Sequence, residues 1–174
     1  GTMCSPANAY GDSKLQAEYR LKKLADESFR VVILRPPMIY GPGCKGNYPV
    51  LSLFAQHLHF FPRVDNERSM LFVGNLMAFV KLVIDNDEEG TFFPQNAEYS
   101  NTSELVRMIA AAHGRRIKLV GGLTGLLKLM GAFTGLVNKA FGSLSYDMAL
   151  SDYPRGEYRA YTLQESIEIT EGVK

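Results

Sequence analysis

The chain has 174 residues, 46% of them hydrophobic, which is enough to bury one core. Its net charge is +1, from 19 Lys and Arg against 18 Asp and Glu, with both signs scattered along the chain. With this charge balance, electrostatics gives no reason to expect binding to nucleic acid or to an acidic membrane. The two cysteines, Cys4 and Cys44, have neither metal-site nor redox spacing, and a reducing, cytoplasmic setting fits them best.

The first two predicted elements are a helix and a buried strand. The helix runs from about Tyr10 to Ser28 and turns one stripe toward the core, formed by Tyr10, Lys14, Ala17, Leu21 and Leu24. The strand, Val31–Leu34, lacks polar alternation, which is typical of a strand covered on both faces of a parallel sheet. It ends at two prolines and opens into a Gly/Pro loop.

The remaining predicted elements alternate between helices and short apolar strands. In chain order they are a helix from about Tyr48 to His59, a strand at Met70–Val73, a helix through Leu76, Phe79, Val80, Val83 and Ile84, a strand at Thr91–Phe93, a helix from Asn101 to Gly114, a strand at Arg116–Val120 and a last helix opening at Thr162. Asn101-Thr-Ser-Glu104 and Thr162-Leu-Gln-Glu165 both match the capping box of a helix N-terminus.

Tyr10 and Lys14 are the candidate chemical groups of the first helix. Residues four apart on a helix share a face, with Cβ atoms about 5–6 Å apart. A free phenol has a pKa near 10, and an adjacent ammonium favours the phenolate. Such a pair can transfer a proton near neutral pH, as a hydroxyl-to-ketone oxidoreduction requires. Tyr-x-x-x-Lys alone is a weak signal, since a solvated helix face can also carry it.

A longer sequence motif that contains this pair is more specific than the pair alone. Tyr10-Gly-x-Ser13-Lys14-x-x-x-Glu18, the apolar strand, and Arg35-Pro-x-x-x-Tyr40-Gly-Pro42 follow one another in order. Together they resemble the extended short-chain dehydrogenase/reductase family, the NAD-dependent sugar epimerases and dehydratases. The resemblance implies an α/β fold in two parts. Residues 1–40 would be the end of an NAD(P)-binding Rossmann domain, and residues 41–174 a small α/β substrate-binding domain.

The resemblance also predicts that part of the enzyme is missing. Family members begin with a Rossmann half whose Gly-rich turn holds the pyrophosphate, whereas nine residues precede Tyr10 here. The Ser or Thr of the family's catalytic triad has no place in the chain. We therefore expect an inactive C-terminal fragment that binds no dinucleotide tightly. We also expect it to associate with itself through the uncovered apolar surface of its first helix and strand.

A second glycine pattern offers an alternative dinucleotide site. Gly41-Pro-Gly43-Cys-Lys-Gly46 matches G-x-G-x-x-G, follows a strand and precedes a helix, with Asp65 about twenty residues on. Pro42 argues against this interpretation, because it lacks an N–H in a loop that must present N–H groups to phosphate. The family resemblance assigns the loop to the substrate side instead.

The resemblance assigns the cofactor-binding residues. Tyr10 would be the general acid/base and Lys14 its partner, which in the family also hydrogen-bonds the nicotinamide ribose of NAD or NADP. Pro36, Pro37 and Met38 lie where the family's backbone contacts the nicotinamide, although prolines that simply terminate a strand are an equal alternative. Met38 replaces an Asn that many epimerases use for the nucleotide, so that contact is in doubt.

The resemblance also assigns two substrate-binding residues. Asn47 would contact the sugar nucleotide, with a turn-forming Asn as the alternative. Arg68 would face the nucleotide diphosphate, a task that suits a planar guanidinium, with a solvated surface Arg as the alternative. The family's Arg-Pro-Gly-Asp nucleotide motif is absent, and Phe141–Asp147 stands roughly in its place.

Three functions remain open at this point. The first is an NAD(P)-dependent epimerase like UDP-glucose 4-epimerase, in which Tyr10 takes a sugar hydroxyl proton as hydride leaves for the nicotinamide. The second is a 4-ketoreductase of a UDP-4-keto-6-deoxy sugar, which runs the same pair in reverse. The third is a non-catalytic nucleotide-sensing or interaction module, against which the intact Tyr10/Lys14 pair argues.

The expected partners follow from the same resemblance. They are a UDP-sugar and a second copy of the chain, as in a dimer, with no nucleic acid. We expect no metal, because the three histidines lack a ligand cluster. We also expect no membrane span. The apolar stretch Leu119–Phe141 is interrupted by Lys128 and Lys139, which favours buried helices over the substrate cleft, with a membrane-surface helix as the alternative.

Overall fold

Helices and short parallel strands alternate in the computed structural model, which describes residues 9–122 and 142–173. The helices are α1 (Ala9–Leu24), α2 (Tyr48–His57), α3 (Val73–Asp85), α4 (Thr102–Ala112) and α5 (Leu163–Glu171), with a 3-10 helix at Met148–Ser151. The strands are β1 (Val32–Leu34), β2 (Met38–Tyr40), β3 (Phe60–Pro62), β4 (Met70–Phe72), β5 (Gly90–Phe92) and β6 (Lys118–Val120). The predicted α/β class is confirmed.

The described strands form three parallel pairs. β1 pairs with β5, β2 with β4 and β3 with β6, with Ile33 opposite Thr91, Ile39 opposite Leu71, and Phe61 opposite Leu119. Parallel strands need a crossover that returns the chain to the same end, usually a helix. Helix α2 lies in the crossover from β2 to β4, and α3 in the one from β1 to β5.

Strand β4 lies between two apolar clusters and contributes to both. All three of its residues are buried, and successive strand side chains point to opposite faces. Met70 and Phe72 join the larger cluster, formed with residues of β2, β3, α2, α4 and α5, whereas Leu71 joins the smaller one with Phe79, Val83 and Tyr158. The core is therefore built on both faces of one short strand.

Helices α4 and α5 begin as predicted. The Asn101 side chain accepts hydrogen bonds from the backbone N–H groups of Ser103 and Glu104 at the start of α4. Thr162 and Glu165 form a complete capping box at the start of α5. Leu163 and Ile167 are buried, as their spacing predicts.

The predicted core-facing stripe of α1 is wrong. None of its residues is buried, and Tyr10, Leu21 and Leu24 are exposed large hydrophobics. The half-buried positions are instead Gly11, Leu15 and Glu18, a neighbouring face of the same helix. Three- and four-residue spacing predicts that a face exists, but packing against other elements decides which face turns inward.

Helix α1 is also shorter than predicted. It ends at Leu24 rather than Ser28. The Asp26 carboxylate accepts hydrogen bonds from the backbone N–H groups of Ser28 and Phe29, at 2.8 and 2.9 Å. Such local bonds compete with continuation of a helix.

Three further predictions need correction. Helix α2 stops at His57 instead of His59, because Leu58 is already extended. Strand β1 is buried at Ile33 but only half-buried at Val32 and Leu34, so it is not covered on both faces. Of the predicted strand from Arg116, only the last three residues, β6, are in a ladder. Strands β2 and β3 and the 3-10 helix were not predicted.

The apolar stretch Leu119–Phe141 lies mostly outside the described residues, which resume at Gly142. Within the part of the chain that the structure describes, no helix is long and apolar enough to cross a membrane.

Candidate active site

The Tyr10/Lys14 pair occupies the first turns of α1. The Lys14 ammonium nitrogen lies 5.4 Å from the centroid of the Tyr10 ring, as the four-residue spacing predicts. The Ser13 hydroxyl donates to the Tyr10 carbonyl at 2.8 Å and so belongs to the helix backbone network. Tyr10 is 72% exposed, so its phenol is open to a ligand.

A second motif tyrosine, Tyr40, has the opposite environment. It is fully buried, and its hydroxyl accepts from the Asn96 amide at 3.0 Å and lies 2.5 Å from the Ser166 hydroxyl. Because Ser166 donates its own proton to the Leu163 carbonyl, Tyr40 is the donor to Ser166. Burial raises the pKa of Tyr40 to about 12. Tyr40 is therefore a neutral structural hydrogen-bonding group, and Tyr10 is the tyrosine open to chemistry.

The two prolines join strands β1 and β2. The Arg35 N–H donates to the Phe92 carbonyl at 2.9 Å, one residue beyond the β1–β5 ladder, and Pro36 and Pro37 then end that pairing. Met38 opens β2 and packs against the larger apolar cluster. The geometry agrees with the strand-terminator interpretation of the prolines. The predicted nicotinamide contact of these three residues stays a prediction.

Glu18 and Arg35 connect α1 to the end of β1. Arg35 donates from Nε to one Glu18 carboxylate oxygen at 3.0 Å and from a terminal nitrogen to the other at 2.5 Å. The Arg35 guanidinium also lies 5.9 Å from the centroid of the Phe93 ring. Its hydrogen bonds hold the pKa of the Glu18 carboxyl below the ordinary value of 4.5. Sequence reasoning included both residues in its motifs but gave neither a role.

The Gly41–Gly46 loop is explained by packing and turn geometry. A Cβ on Gly41 would lie 2.4 Å from a Val73 methyl carbon, so the close approach of α3 requires glycine there. The Cys44 N–H donates to the Gly41 carbonyl, which closes a turn. Asn47 follows as the N-cap of α2 and makes no capping bond with its side chain. Gly43 and Gly46 have positive φ angles of 72° and 116°, which favour glycine, so the loop's glycines are accounted for without a phosphate.

Arg68 is buried, so the solvated-surface alternative is wrong. Its backbone exchanges two hydrogen bonds with Ser100, each 2.9 Å, and its guanidinium donates to the Gly142 carbonyl at 2.8 Å. Burial lowers the pKa of Arg68. An open groove of about 450 Å³ lies beside it, lined by Asp65, Asn66, Glu67, Tyr99, Ser100, Asn101 and Ser143.

The β2–β4 pairing relates Arg68 to the proline segment. Met38 is opposite Met70, and both strands run in the same direction. The residues just before β4, Arg68 among them, therefore approach from the same end of the pair as Pro36 and Pro37. Within residues 9–122 and 142–173, no group of three His, Cys, Asp or Glu side chains could hold a metal ion.

Comparison with known proteins agrees with this parallel α/β architecture. The NAD-binding family model described as "Male sterility protein" matches residues 2–64. The UDP-glucose 4-epimerase of Vibrio cholerae is 31% identical over 175 residues, which cover 95% of this chain and 53% of that protein. The chain thus spans about half the length of this curated relative.

Solved structures share the fold. The UDP-N-acetylglucosamine 4-epimerase of Bacillus cereus superposes with a TM-score of 0.70 at 17% identity, over 99% of this chain and 56% of its own. RMD from Pseudomonas aeruginosa, complexed with NADPH, also has a TM-score of 0.70 at 17% identity, over 98% of this chain and 57% of its own. The chain thus shares its fold with these two structures and is similar in sequence, along 95% of its length, to a UDP-glucose 4-epimerase.

Proposed function

We propose that this chain provides the acid/base pair and the substrate-binding part of an NAD(P)-dependent nucleotide-sugar epimerase of the UDP-hexose 4-epimerase type. The observation that carries the proposal is the exposed Tyr10 ring with the Lys14 ammonium 5.4 Å from its centroid. The likeness to the Vibrio cholerae epimerase along 95% of the chain supports it. We further propose that the enzyme is cytoplasmic and dimeric.

The proposed chemistry of Tyr10 is proton transfer. Its phenolate oxygen accepts the proton of a sugar hydroxyl as the carbonyl forms, and returns it when the hydroxyl is restored on the other face. Lys14 places its ammonium beside the Tyr10 ring, 5.4 Å from the ring centroid. Tyr40 cannot take this part, because its hydroxyl is buried and already bonded to Asn96 and Ser166.

The proposed cofactor is NAD or NADP, and the residues present fit its nicotinamide end. Lys14 is exposed and offers three ammonium donors, which suit a ribose diol. The backbone around Pro36, Pro37 and Met38 would complete that side. When bound, nicotinamide supplies a hydride acceptor and donor. Gly41 does not need the cofactor to explain it, since its packing on Val73 already requires glycine.

The proposed substrate is a UDP-sugar, held by Arg68 and Asn47. A buried guanidinium is a strong site for a diphosphate, because few waters screen its charge. The groove beside Arg68 is lined by amide and hydroxyl groups together with the Asp65 and Glu67 carboxylates, which suit the hydroxyls of a sugar rather than the diphosphate itself. Asn47 has an amide that is not used in capping α2.

Calorimetric titration of the chain with UDP, UDP-GlcNAc and NAD separately tests this proposal. We expect binding of UDP and UDP-GlcNAc, and at least about tenfold weaker binding by Arg68→Lys, since a point charge replaces a planar fork. Arg107→Lys, which alters an exposed ion pair on α4, is the matched control and should bind like the parent chain.

Two outcomes would contradict the substrate assignment. One is the absence of UDP-sugar binding by a folded chain. The other is binding of NAD alone that is lost when Gly43 and Gly46 are replaced, which would restore the loop as a phosphate site. If the chain completes turnovers, net oxidation of NAD(P)H would identify a ketoreductase rather than an epimerase.

A further inference from the structure

We infer that the Glu18–Arg35 ion pair is a positioning device that sets where α1, and with it the Tyr10/Lys14 pair, lies against the end of β1. The inference rests on the proposed function only in treating Tyr10 and Lys14 as the reacting groups. The coupling of α1 to the strand is a separate physical claim.

As far as the structure describes the chain, apolar burial holds helix α1 only weakly. None of its residues is buried, and its large hydrophobic side chains Tyr10, Tyr19, Leu21 and Leu24 are between 42% and 72% exposed. A helix in a domain is normally held by an apolar stripe packed on its neighbours. The inward face of α1 instead ends in a carboxylate, Glu18, after Gly11 and Leu15.

The partner side of the pair is well fixed. The Arg35 N–H continues the β1–β5 ladder to Phe92, and the Arg35 guanidinium lies over the Phe93 ring. Arg35 therefore presents its planar fork from a defined place, and both nitrogens engage the two Glu18 oxygens. Bidentate Arg–carboxylate contact fixes orientation as well as distance.

This pair differs from the exposed ion pairs within single helices. The Arg35 and Glu18 side chains are 27% and 20% exposed, whereas those of Lys81 and Asp85 are 74% and 51% exposed. The Lys81–Asp85 and Glu104–Arg107 pairs each lie within one helix, so they cannot orient one element against another. Glu18–Arg35 joins two elements.

Glu18 lies on the same helix as the reacting pair, on the face next to it. Tyr10, Lys14 and Glu18 follow each other at four-residue spacing, two helical turns in all. A rotation or slide of α1 released at Glu18 would therefore move Tyr10 and Lys14 together, and their 5.4 Å relation within the helix would persist. The pair thus controls the place of the acid/base groups rather than their chemistry.

A spin-label distance measurement on the full chain tests the inference. In a Cys4→Ser, Cys44→Ser background, nitroxides on Gln16→Cys and Met77→Cys, both at exposed positions, report the place of α1 against α3. We expect a narrow distance distribution, lost in Glu18→Gln and in Arg35→Gln and recovered in the charge-swapped Glu18→Arg, Arg35→Glu chain. Arg35→Lys, which keeps the charge but not the fork, should give an intermediate width.

The control is Glu104→Gln, which breaks an ion pair inside α4 and should leave the distribution narrow. A thermal midpoint is recorded for every variant. A lowered midpoint with an unchanged narrow distribution in both Glu18→Gln and Arg35→Gln overturns the inference, since the pair is then only stabilising. If Arg35→Gln fails to fold, Arg35→Lys and Glu18→Gln decide the question.

The result is separable from that of the proposed function. Broadening in Glu18→Gln in a chain that binds no UDP-sugar supports the positioning role and contradicts the proposed function. Suppose instead that the chain binds UDP-GlcNAc through Arg68 and that both variants keep the narrow distance distribution. That result supports the proposed function and contradicts the positioning role.

Discussion

Helices α1 and α4 show two ways of attaching a helix to the same molecule. Six residues of α4 are buried, and the helix packs between α2 and α5 in the larger apolar cluster. Helix α1 buries none and is joined to β1 through the Glu18–Arg35 ion pair. Helix α4 is thus held by burial and α1 by charge and geometry.

Of these two helices, the one that contributes more to stability, α4, is therefore not the one that carries the proposed reacting groups, α1. The apolar contacts of α4 are many and non-directional, so they contribute free energy but define position only through packing. A bidentate ion pair contributes less energy and more orientation. The proposed reacting groups Tyr10 and Lys14 lie on the helix with little burial, where side chains stay open to ligands.

Ile109→Ala should give the largest effect on stability. Ile109 of α4 is fully buried, so its truncation leaves a cavity, and we expect a loss of about 2–5 kcal/mol in the free energy of unfolding. Leu21→Ala on α1, where Leu21 is 42% exposed, should cost less than about 0.5 kcal/mol. Urea denaturation measures both. Equal losses would show that α1 is buried in solution and would remove the contrast.

Tyr40→Phe should have an intermediate effect. It removes the hydroxyl that accepts from Asn96 and donates to Ser166 and leaves both without that partner, at an expected cost of about 1–3 kcal/mol. Tyr19→Phe on α1, at a 61% exposed position, should be neutral. The two urea midpoints give the comparison. A neutral Tyr40→Phe would mean that the buried network does not hold β2 against α5.

Thr162→Ala should have a smaller effect, confined to the start of α5. The change removes one half of a complete capping box, and loss of an N-cap side chain typically costs about 1 kcal/mol. Thr162→Ser keeps the hydroxyl and is the matched control. Hydrogen exchange should increase in the first turn of α5 in the alanine variant only. Increased exchange throughout α5 would indicate that the cap determines more than the helix end.

Local signals predicted much of this fold because they depend on few neighbours. Thr162 and Asn101 cap helices as their patterns predict, and Phe79 and Val83 of α3 are buried at helical spacing. Strands β2 and β3 were missed because proline, directly before β2 at Pro37 and within β3 at Pro62, normally marks the end of a strand. The inward face of α1 could not be predicted, because Glu18 turns toward the strand only when Arg35 is near it in space. Burial of Arg68 depends likewise on Ser100 and Gly142, distant in sequence.

The smallest expected effect is a pH dependence that distinguishes the two attachments. The Arg35 hydrogen bonds hold the Glu18 pKa below its ordinary value of 4.5. The stability contributed by this pair is therefore fully present above about pH 4.5 and is lost as the pH falls through the lower, folded-state pKa. We expect the parent chain to exceed Glu18→Gln by about 0.2–1 kcal/mol above pH 5, with the gap closing toward pH 3. Arg35→Gln should lower the stability above pH 5 to about that of Glu18→Gln, since either change removes the pair. Urea titrations between pH 3 and pH 6 measure it, and a gap that persists at pH 3 would mean that Glu18 acts through packing rather than through its charge.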